Sequence, residues 1–242
     1  MNLETDQQRA IITGASSGIG EATALAFAAA GIHLVLIGRS QARLSAVSNS
    51  CQSLGVEAKT YCIDLEKIEE IQAKIETIVQ ECGNIDILVN NAGISYTNNL
   101  MDTPLDYWQK VINLNLTSVF QCVLGVLPQM RKRKKGTIVN VSSIAADNAF
   151  PGWGAYCVSK AGLLSFSKVL AAEERINGIR VTTVTPGSVN TPLWDTETVR
   201  ADFDRSVMLH PSTIAEVILE AVMLPRNAVV ENITIVPSAG IL

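Results

Sequence analysis

The sequence predicts an α/β protein: one doubly wound parallel sheet of about seven strands with helices on both faces, built by a single domain over residues 1–242. Three observations carry this expectation. Short β-branched or apolar runs alternate with longer helical patterns along the whole chain. Several of those runs are apolar at every position, as strands buried on both faces are. No linker, low-complexity tract or repeat interrupts the series.

The series opens with the strand RAIIT and a helix over 20–30, then HLVLI and a helix over 41–54. VEAKTYCI is followed by a helix over 66–81, DILVN by one over 104–131, and GTIVNVS by one over 153–175. GIRVTTV then leads into an irregular stretch over 186–209, a helix over 211–223 and a last strand in ENITIV. Long loops at the carboxyl ends of such strands tend to hold ligands.

Composition narrows the function classes. With 48% hydrophobic and 17% charged residues the chain is a folding one. A net charge of −4 gives no global attraction to nucleic acid. The dense basic run RKRKK at 131–135 reads either as a solvated helix C-terminus, favoured by the macrodipole, or as a docking patch for an acidic partner such as an acyl carrier protein. The polar start MNLETDQQR reads as neither signal peptide nor anchor. The longest apolar stretch, 24–37, is broken by Gly31 and His33 and falls short of the ~18 residues of a membrane span. Five cysteines without a C-x-x-C pair read as reduced thiols, and a cytoplasmic location is expected. Neither histidine has a metal-ligand neighbour at useful spacing, so no metal site is expected.

Chemistry enters with RAIITGASSGIGEATALAFAAAG. Gly14, Gly18 and Gly20 follow the first strand and open a helix, with Ser16, Ser17 and Ile19 between them. In that context a glycine turn lets a pyrophosphate approach backbone N–H groups at a helix N-terminus. A Walker A loop is excluded because Glu21 follows Gly20 where a lysine is needed. The same residues satisfy G-x-S-x-G, the elbow of serine hydrolases. Only thirteen residues precede Gly14, however, and no oxyanion motif lies upstream. The second strand ends in Gly38 and Arg39 with no acid at its tip, an arrangement that suits the 2'-phosphate of NADP better than the ribose diol of NAD; a plain surface arginine is the alternative. In GAYCVSKAG, Tyr156 and Lys160 lie four residues apart on one helical face, where an ammonium would lower the phenol's pKa.

These motifs, in this order, resemble the short-chain dehydrogenase/reductase family from about Arg9 to Val236. TGASSGIG is similar to its cofactor turn and NNAG, with Asn91, Ala92 and Gly93, to its fourth-strand motif. Asn115 in NLNLTSVF, Ser143 in VNVSSIAA, YCVSK and PGSVNTP complete the pattern. The resemblance implies a Rossmann-like fold, NADP(H) as cofactor, and a small carbonyl or alcohol substrate. It implies Ser143 as the group that orients a carbonyl, Tyr156 as acid, Lys160 as its electrostatic partner and holder of the nicotinamide ribose, and Asn115 as the residue placing a water behind Lys160. Ser142 and Asn113 are rivals; the thirteen-residue spacing from Ser143 to Tyr156 and the NLTS context favour the first choices. By the same resemblance Asp64 accepts from the adenine amine beside Leu65, although Asp64 also reads as a cap for the following helix. Asn91 to Gly93 would line the adenosine ribose, Val189 and Thr191 would meet the carboxamide, and Pro186 and Gly187 belong to the same cofactor-binding set.

For the substrate end, the loops after the fourth to sixth strands carry Tyr96, Phe150, Trp153 and Trp194 in a chain only 5% aromatic. These either bind a planar carbonyl compound or close a core. The ending ENITIVPSAGIL departs from the TVDGG-like ending of 3-oxoacyl carrier-protein reductases. A dinucleotide-binding sensor without turnover is the rival function, and the full Asn115, Ser143, Tyr156, Lys160 set favours an enzyme. A homo-oligomer, tetramer or dimer, follows from the resemblance and from the long apolar patterns at 107–130 and 153–172.

Overall fold

The computed structural model describes residues 8–201 and 203–240. The polar residues 1–7 and the final two residues, on which part of the readings of the chain ends rested, lie outside them. Seven strands form one parallel sheet: β1 (Arg9–Thr13), β2 (His33–Gly38), β3 (Ala58–Cys62), β4 (Ile87–Asn90), β5 (Gly136–Val141), β6 (Ile179–Pro186) and β7 (Asn232–Ile235). Their order is β3-β2-β1-β4-β5-β6-β7. The chain starts in the middle of the sheet, winds out to β3, and crosses to the other side at β4. A reversal of this kind leaves a crevice beyond the carboxyl ends of β1 and β4, which is where ligands bind in open α/β sheets.

Helices α1 (Gly18–Ala29), α2 (Gln41–Gln52), α3 (Ile68–Cys82), α4 (Leu105–Ile112), α5 (Ser118–Arg133), α6 (Gly154–Glu174) and α7 (Pro211–Met223) cover both faces. Strand alternation explains the division. Ile12, Leu36 and Val89, neighbours in register, face Phe27, Leu44 and Ile214 from α1, α2 and α7. Ile11, Val35 and Leu88 face Ile75, Val126 and Leu163 from α3, α5 and α6. Each such side chain, taken fully out of water, contributes about 1.5–3 kcal/mol, so the apolar-throughout strands are what holds the two helical layers to the sheet.

Two helices differ from expectation in ways that matter for the site. The helix predicted from residue 66 starts at Ile68, because Asp64 Oδ1 accepts from the Glu66 amide at 3.1 Å and holds a turn there. The helix predicted over 104–131 contains a π turn, Asn113–Thr117, between α4 and α5. Such a turn inserts an extra residue and re-aims its neighbours; here it places Asn115 fully inside the protein. The combined helix Leu105–Arg133 is long and apolar enough to cross a membrane by length and composition alone. Its packing is that of a core helix, with Gly125 so close to Ile75 that an added Cβ would lie 2.6 Å from it.

The basic run is neither simply solvated nor simply a patch. Arg131 forms a two-pronged pair with Glu174, whose carboxylate is buried and held below the usual carboxylate range by that guanidinium. Arg133 and Lys135 converge on Asp86 at 2.8 and 3.4 Å. Three of the cations are therefore counterions of buried or nearly buried acids at the ends of α6 and β4. All five cysteines are free thiols, with Cys62 exposed and Cys157 half-buried.

Candidate active site

The glycine turn sits at the reversal point of the sheet. Gly14 has φ of +66°, a conformation that favours glycine, and an added Cβ would lie 2.9 Å from Ala92 Cα. Gly20 is more constrained: a Cβ would lie 2.3 Å from the Gly14 carbonyl oxygen. The N-terminus of α1 can therefore fold tightly back on the turn. Ser17 occupies the N-cap position, yet its side chain makes no cap bond. The first-turn amides of α1 thus point beyond β1 without a side-chain cap, as a pyrophosphate cradle requires. Gly18 faces Thr191, whose methyl would be 3.1 Å from an added Cβ, so the loop after β6 closes over the same helix terminus.

Thr13, at the end of β1, locks this crevice. Its hydroxyl accepts from the amides of Asn91 and Ala92 at 3.0 and 3.1 Å, while Asn91 Nδ2 donates to Thr13 O at 3.0 Å. The chain after β4 is thereby fixed beside the glycine turn. Gly93 keeps the floor open: a side chain there would meet Asn115 Oδ1 at 3.2 Å and Lys160 Nζ at 3.7 Å.

On the other wall, α6 presents Tyr156 and Lys160. The Tyr156 hydroxyl lies beside Ser143, which follows the end of β5, whose hydroxyl favours the phenolate and whose Oγ accepts from the Ala145 amide at 3.1 Å. Lys160 Nζ donates to Val141 O at 2.9 Å and lies 5.7 Å from the centre of the Tyr156 ring. Burial pushes the Lys160 ammonium down to about 8. Burial also raises the Tyr156 pKa, opposed by the Ser143 hydroxyl and assisted by Cys157. The expected lowering of the phenol by Lys160 is thus reversed here: desolvation of a buried phenolate outweighs a cation whose own charge burial disfavours.

Asn115 links the two walls. Its Oδ1 accepts from the Ile94 amide, and its Nδ2 donates to Ile94 O and Ser159 Oγ, each at 2.9 Å. Ser159 in turn donates to Tyr156 O at 2.8 Å. The rivals sit elsewhere: Asn113 accepts from Gln109 on an exposed surface, and the Ser142 hydroxyl is buried against Lys160 O.

Between the walls lies a cavity of about 140 Å³, lined on the cofactor side by Ile19, Pro186, Gly187, Val189 and Thr191 and on the catalytic side by Ser143 and Tyr156. Its outer part is aromatic. Trp153 meets Tyr156 edge-on at 5.7 Å, Trp194 meets Trp153 at 5.8 Å, and Phe203 meets Trp194 at 5.5 Å.

This arrangement can be set beside known proteins. The family model described as short chain dehydrogenase matches residues 8–201. The chain belongs to the short-chain dehydrogenase family. A 3-oxoacyl-[acyl-carrier-protein] reductase of Synechocystis sp. is 39% identical over 196 residues, 81% of this chain and 78% of that protein. A sepiapterin reductase of Chlorobaculum tepidum is 33% identical over 238 residues, 95% of this chain and 96% of that protein. Among solved structures, a metagenomic short-chain oxidoreductase in complex with NADP superposes with a TM-score of 0.85 at 30% identity, covering 96% of this chain and 97% of that one. An alcohol dehydrogenase from Thermococcus sibiricus complexed with 5-hydroxy-NADP gives 0.88 at 26% identity, with the same coverage.

At the adenosine end, this short-chain dehydrogenase differs from the simplest sequence reading. Arg39 Nη1 pairs with Glu66 Oε1 at 2.8 Å, and Glu66 Oε2 also faces Lys110 at 3.3 Å. The acid missing from the tip of β2 is supplied from beyond β3, a juxtaposition that parallel pairing creates and spacing does not reveal. Asp64 is half-buried in the same turn, while Leu65 is buried in the core between the sheet and α3. Gly38 packs against Ser16, with room for a Cβ only at 3.3 Å from its hydroxyl. Among the aromatics, Tyr96 stacks on Tyr107 at 4.4 Å and is not part of the cavity lining, whereas Phe203 is. Thr13 and Ser159 are the positioning residues that sequence reasoning missed. Both stand inside motifs quoted above, TGASSGIG and YCVSK, where a hydroxyl one position from a motif residue was the available signal.

Proposed function

We propose that the protein is an NADP(H)-dependent reductase that interconverts a ketone or aldehyde and its alcohol, with Tyr156 as general acid and base. The observation that carries the reading is that Tyr156 and Ser143 line one cavity together, opposite the closed loop over the α1 N-terminus. The residues fit a dinucleotide: the crowded glycine cradle, with α1 lacking a side-chain cap, would hold the pyrophosphate, and Val189 and Thr191 would meet the carboxamide. A reduced nicotinamide bound there would supply the hydride that reduces the carbonyl carbon, itself becoming oxidised, and the carbonyl electron pair would pass to oxygen. Ser143 donates a hydrogen bond to that oxygen as its charge grows, and Tyr156 delivers the proton. Lys160, buried beside the ring, holds the nicotinamide ribose. Asn115 and Ser159 act through Tyr156's helix as positioning residues, and a water behind Lys160 returns the proton.

Arg39 selects the 2'-phosphate. Its partner Glu66 keeps the guanidinium over the turn after β3, and a phosphate competes with that carboxylate for it. A thioester of an acyl carrier protein is the second reading, supported by the names of relatives such as the Synechocystis protein. The full-length match to a sepiapterin reductase supports a free small molecule instead. The exposed apolar side chains of Leu105, Phe120, Val158 and Val169 on α4, α5 and α6 support a homo-oligomer. NADPH oxidation measured against ketones, aldehydes and acyl thioesters tests the reading; no turnover with any carbonyl in that panel would overturn it.

A further inference from the structure

The cavity beside Tyr156 has a chemistry of its own. None of the described residues that line it is Lys, Arg or His. Of the two arginines on the adjoining loop, Arg200 does not line the cavity, and Arg205 is engaged by Asp195, by Asn190 Oδ1 at 2.9 Å and by Thr191 O at 3.1 Å. A carboxylate or phosphate entering here would lose its hydration and gain no partner, which is strongly unfavourable. The aromatic wall is also fixed in place. Trp194 Nε1 donates to Val189 O at 2.8 Å, and its ring stands edge-on to both Trp153 and Phe203. Rigid aromatic surfaces of this kind favour a flat, uncharged ring. The whole cavity, its nicotinamide side included, is about 140 Å³, so the substrate's share holds no more than a single ring.

One polar feature breaks the apolar surface. Ser188 lines the cavity, and its Oγ is shielded from solvent with no hydrogen-bond partner in the protein. The other two lining serines are engaged, Ser142 with Lys160 O and Ser143 with the Ala145 amide. The Ser188 backbone is held as well, its carbonyl accepting from the Leu209 amide at 3.0 Å. A buried hydroxyl without a partner is unfavourable unless a bound molecule supplies one.

Resting on the carbonyl-reductase reading, we propose that the substrate is an uncharged, single-ring carbonyl compound with a second oxygen next to the reacting carbonyl, a vicinal dione or a keto ester. Ser143 and Tyr156 take the reacting oxygen, Ser188 donates to the second one, and the ring packs on Trp153, Trp194 and Phe203. Ser188 is thereby a specificity-determining residue.

The test uses the full chain with NADPH and three probes of similar size: methyl phenylglyoxylate, its charged counterpart phenylglyoxylate, and propiophenone, which lacks the second oxygen. The wild type should reduce the ester at least about a hundredfold more efficiently than the acid. In Ser188→Ala the ratio of kcat/KM for the ester over propiophenone should fall by about tenfold, the loss of one hydrogen bond. The ratio cancels general damage to the site. Quenching of tryptophan fluorescence by the ester gives binding without turnover, since Trp153 and Trp194 line the cavity. Preferred reduction of phenylglyoxylate or of an acetoacetyl thioester, or an unchanged ratio in Ser188→Ala, overturns the inference and leaves the reductase reading standing. Quenching by the ester with no reduction of any carbonyl supports the inferred pocket and overturns the reductase reading. Absence of both quenching and turnover with the uncharged probes overturns the inference.

Discussion

The two sides of the active-site crevice are built on different principles. On the cofactor side, around β1, the α1 N-terminus and the start of the loop after β4, residue identity follows from backbone geometry. Gly20 is glycine because the Gly14 carbonyl occupies the space of its Cβ, and Thr13 is a hydroxyl residue because two amides of the neighbouring strand's loop point at it. On the substrate side, around the loops after β5 and β6, the wall is made by side chains from distant parts of the chain leaning on one another. Trp153, Trp194 and Phe203 meet by ring edges, and none of them has the positive φ that would restrict the residue. The first side is therefore intolerant of small changes, and the second is free to vary with substrate.

The largest effect that would break this comparison is a change at Gly20. Gly20→Ala puts a methyl 2.3 Å from a backbone oxygen. It should destabilise the fold by about 3 kcal/mol, at the upper end of overpacking, and abolish NADPH binding. Denaturant titration and cofactor fluorescence read both effects. Phe203→Ala, on the substrate side and partly exposed, should change stability by less than about 1 kcal/mol. Equal losses for the two would remove the distinction.

A second effect of opposite sign comes from Lys160. Its folded pKa lies near 8 against an ordinary 10.5, so the ammonium is disfavoured inside the fold. That penalty is complete below pH 8 and vanishes as pH rises to 10.5, where the unfolded chain also loses the proton. Lys160→Met should therefore stabilise the protein at pH 7 by roughly 2 kcal/mol, after allowance for the lost bond to Val141. The gain should shrink between pH 8 and 10.5, and turnover should be lost at every pH. A variant less stable than wild type at pH 7 would show that burial of the ammonium is compensated.

The same division explains what was legible in the sequence. The alternating strands and helices, the glycine turn and the Tyr156, Lys160 pair were readable because each depends on local spacing along one strand or one helix. The π turn that buries Asn115 was not, because NLNLTSVF has the same apolar period in a regular helix. Nor was the Arg39–Glu66 pair, made by residues 27 apart that only the β2–β3 pairing brings together. The expected direction of the Tyr156 shift failed for a related reason: spacing shows a neighbouring charge but carries no measure of desolvation.

A smaller effect sharpens the adenosine end. Arg39→Ala should weaken NADPH binding by about tenfold, one charge-assisted contact, and leave NADH nearly unchanged. Because its pair with Glu66 is exposed, thermal stability should move by less than about 0.5 kcal/mol. Glu66→Gln should tighten NADPH a few-fold by freeing the guanidinium for the phosphate, as isothermal titration would show. Equal affinity of the wild type for NADPH and NADH would mean that Arg39 does not select the cofactor.

The most direct test of the central claim is single-turnover reduction by Tyr156→Phe, monitored by NADPH absorbance with a carbonyl the wild type reduces. The account predicts unchanged NADPH affinity, since the phenol oxygen is the only atom removed, and a rate lower by about a thousandfold, the scale of a positioned general acid. A rate within a few-fold of wild type would contradict it.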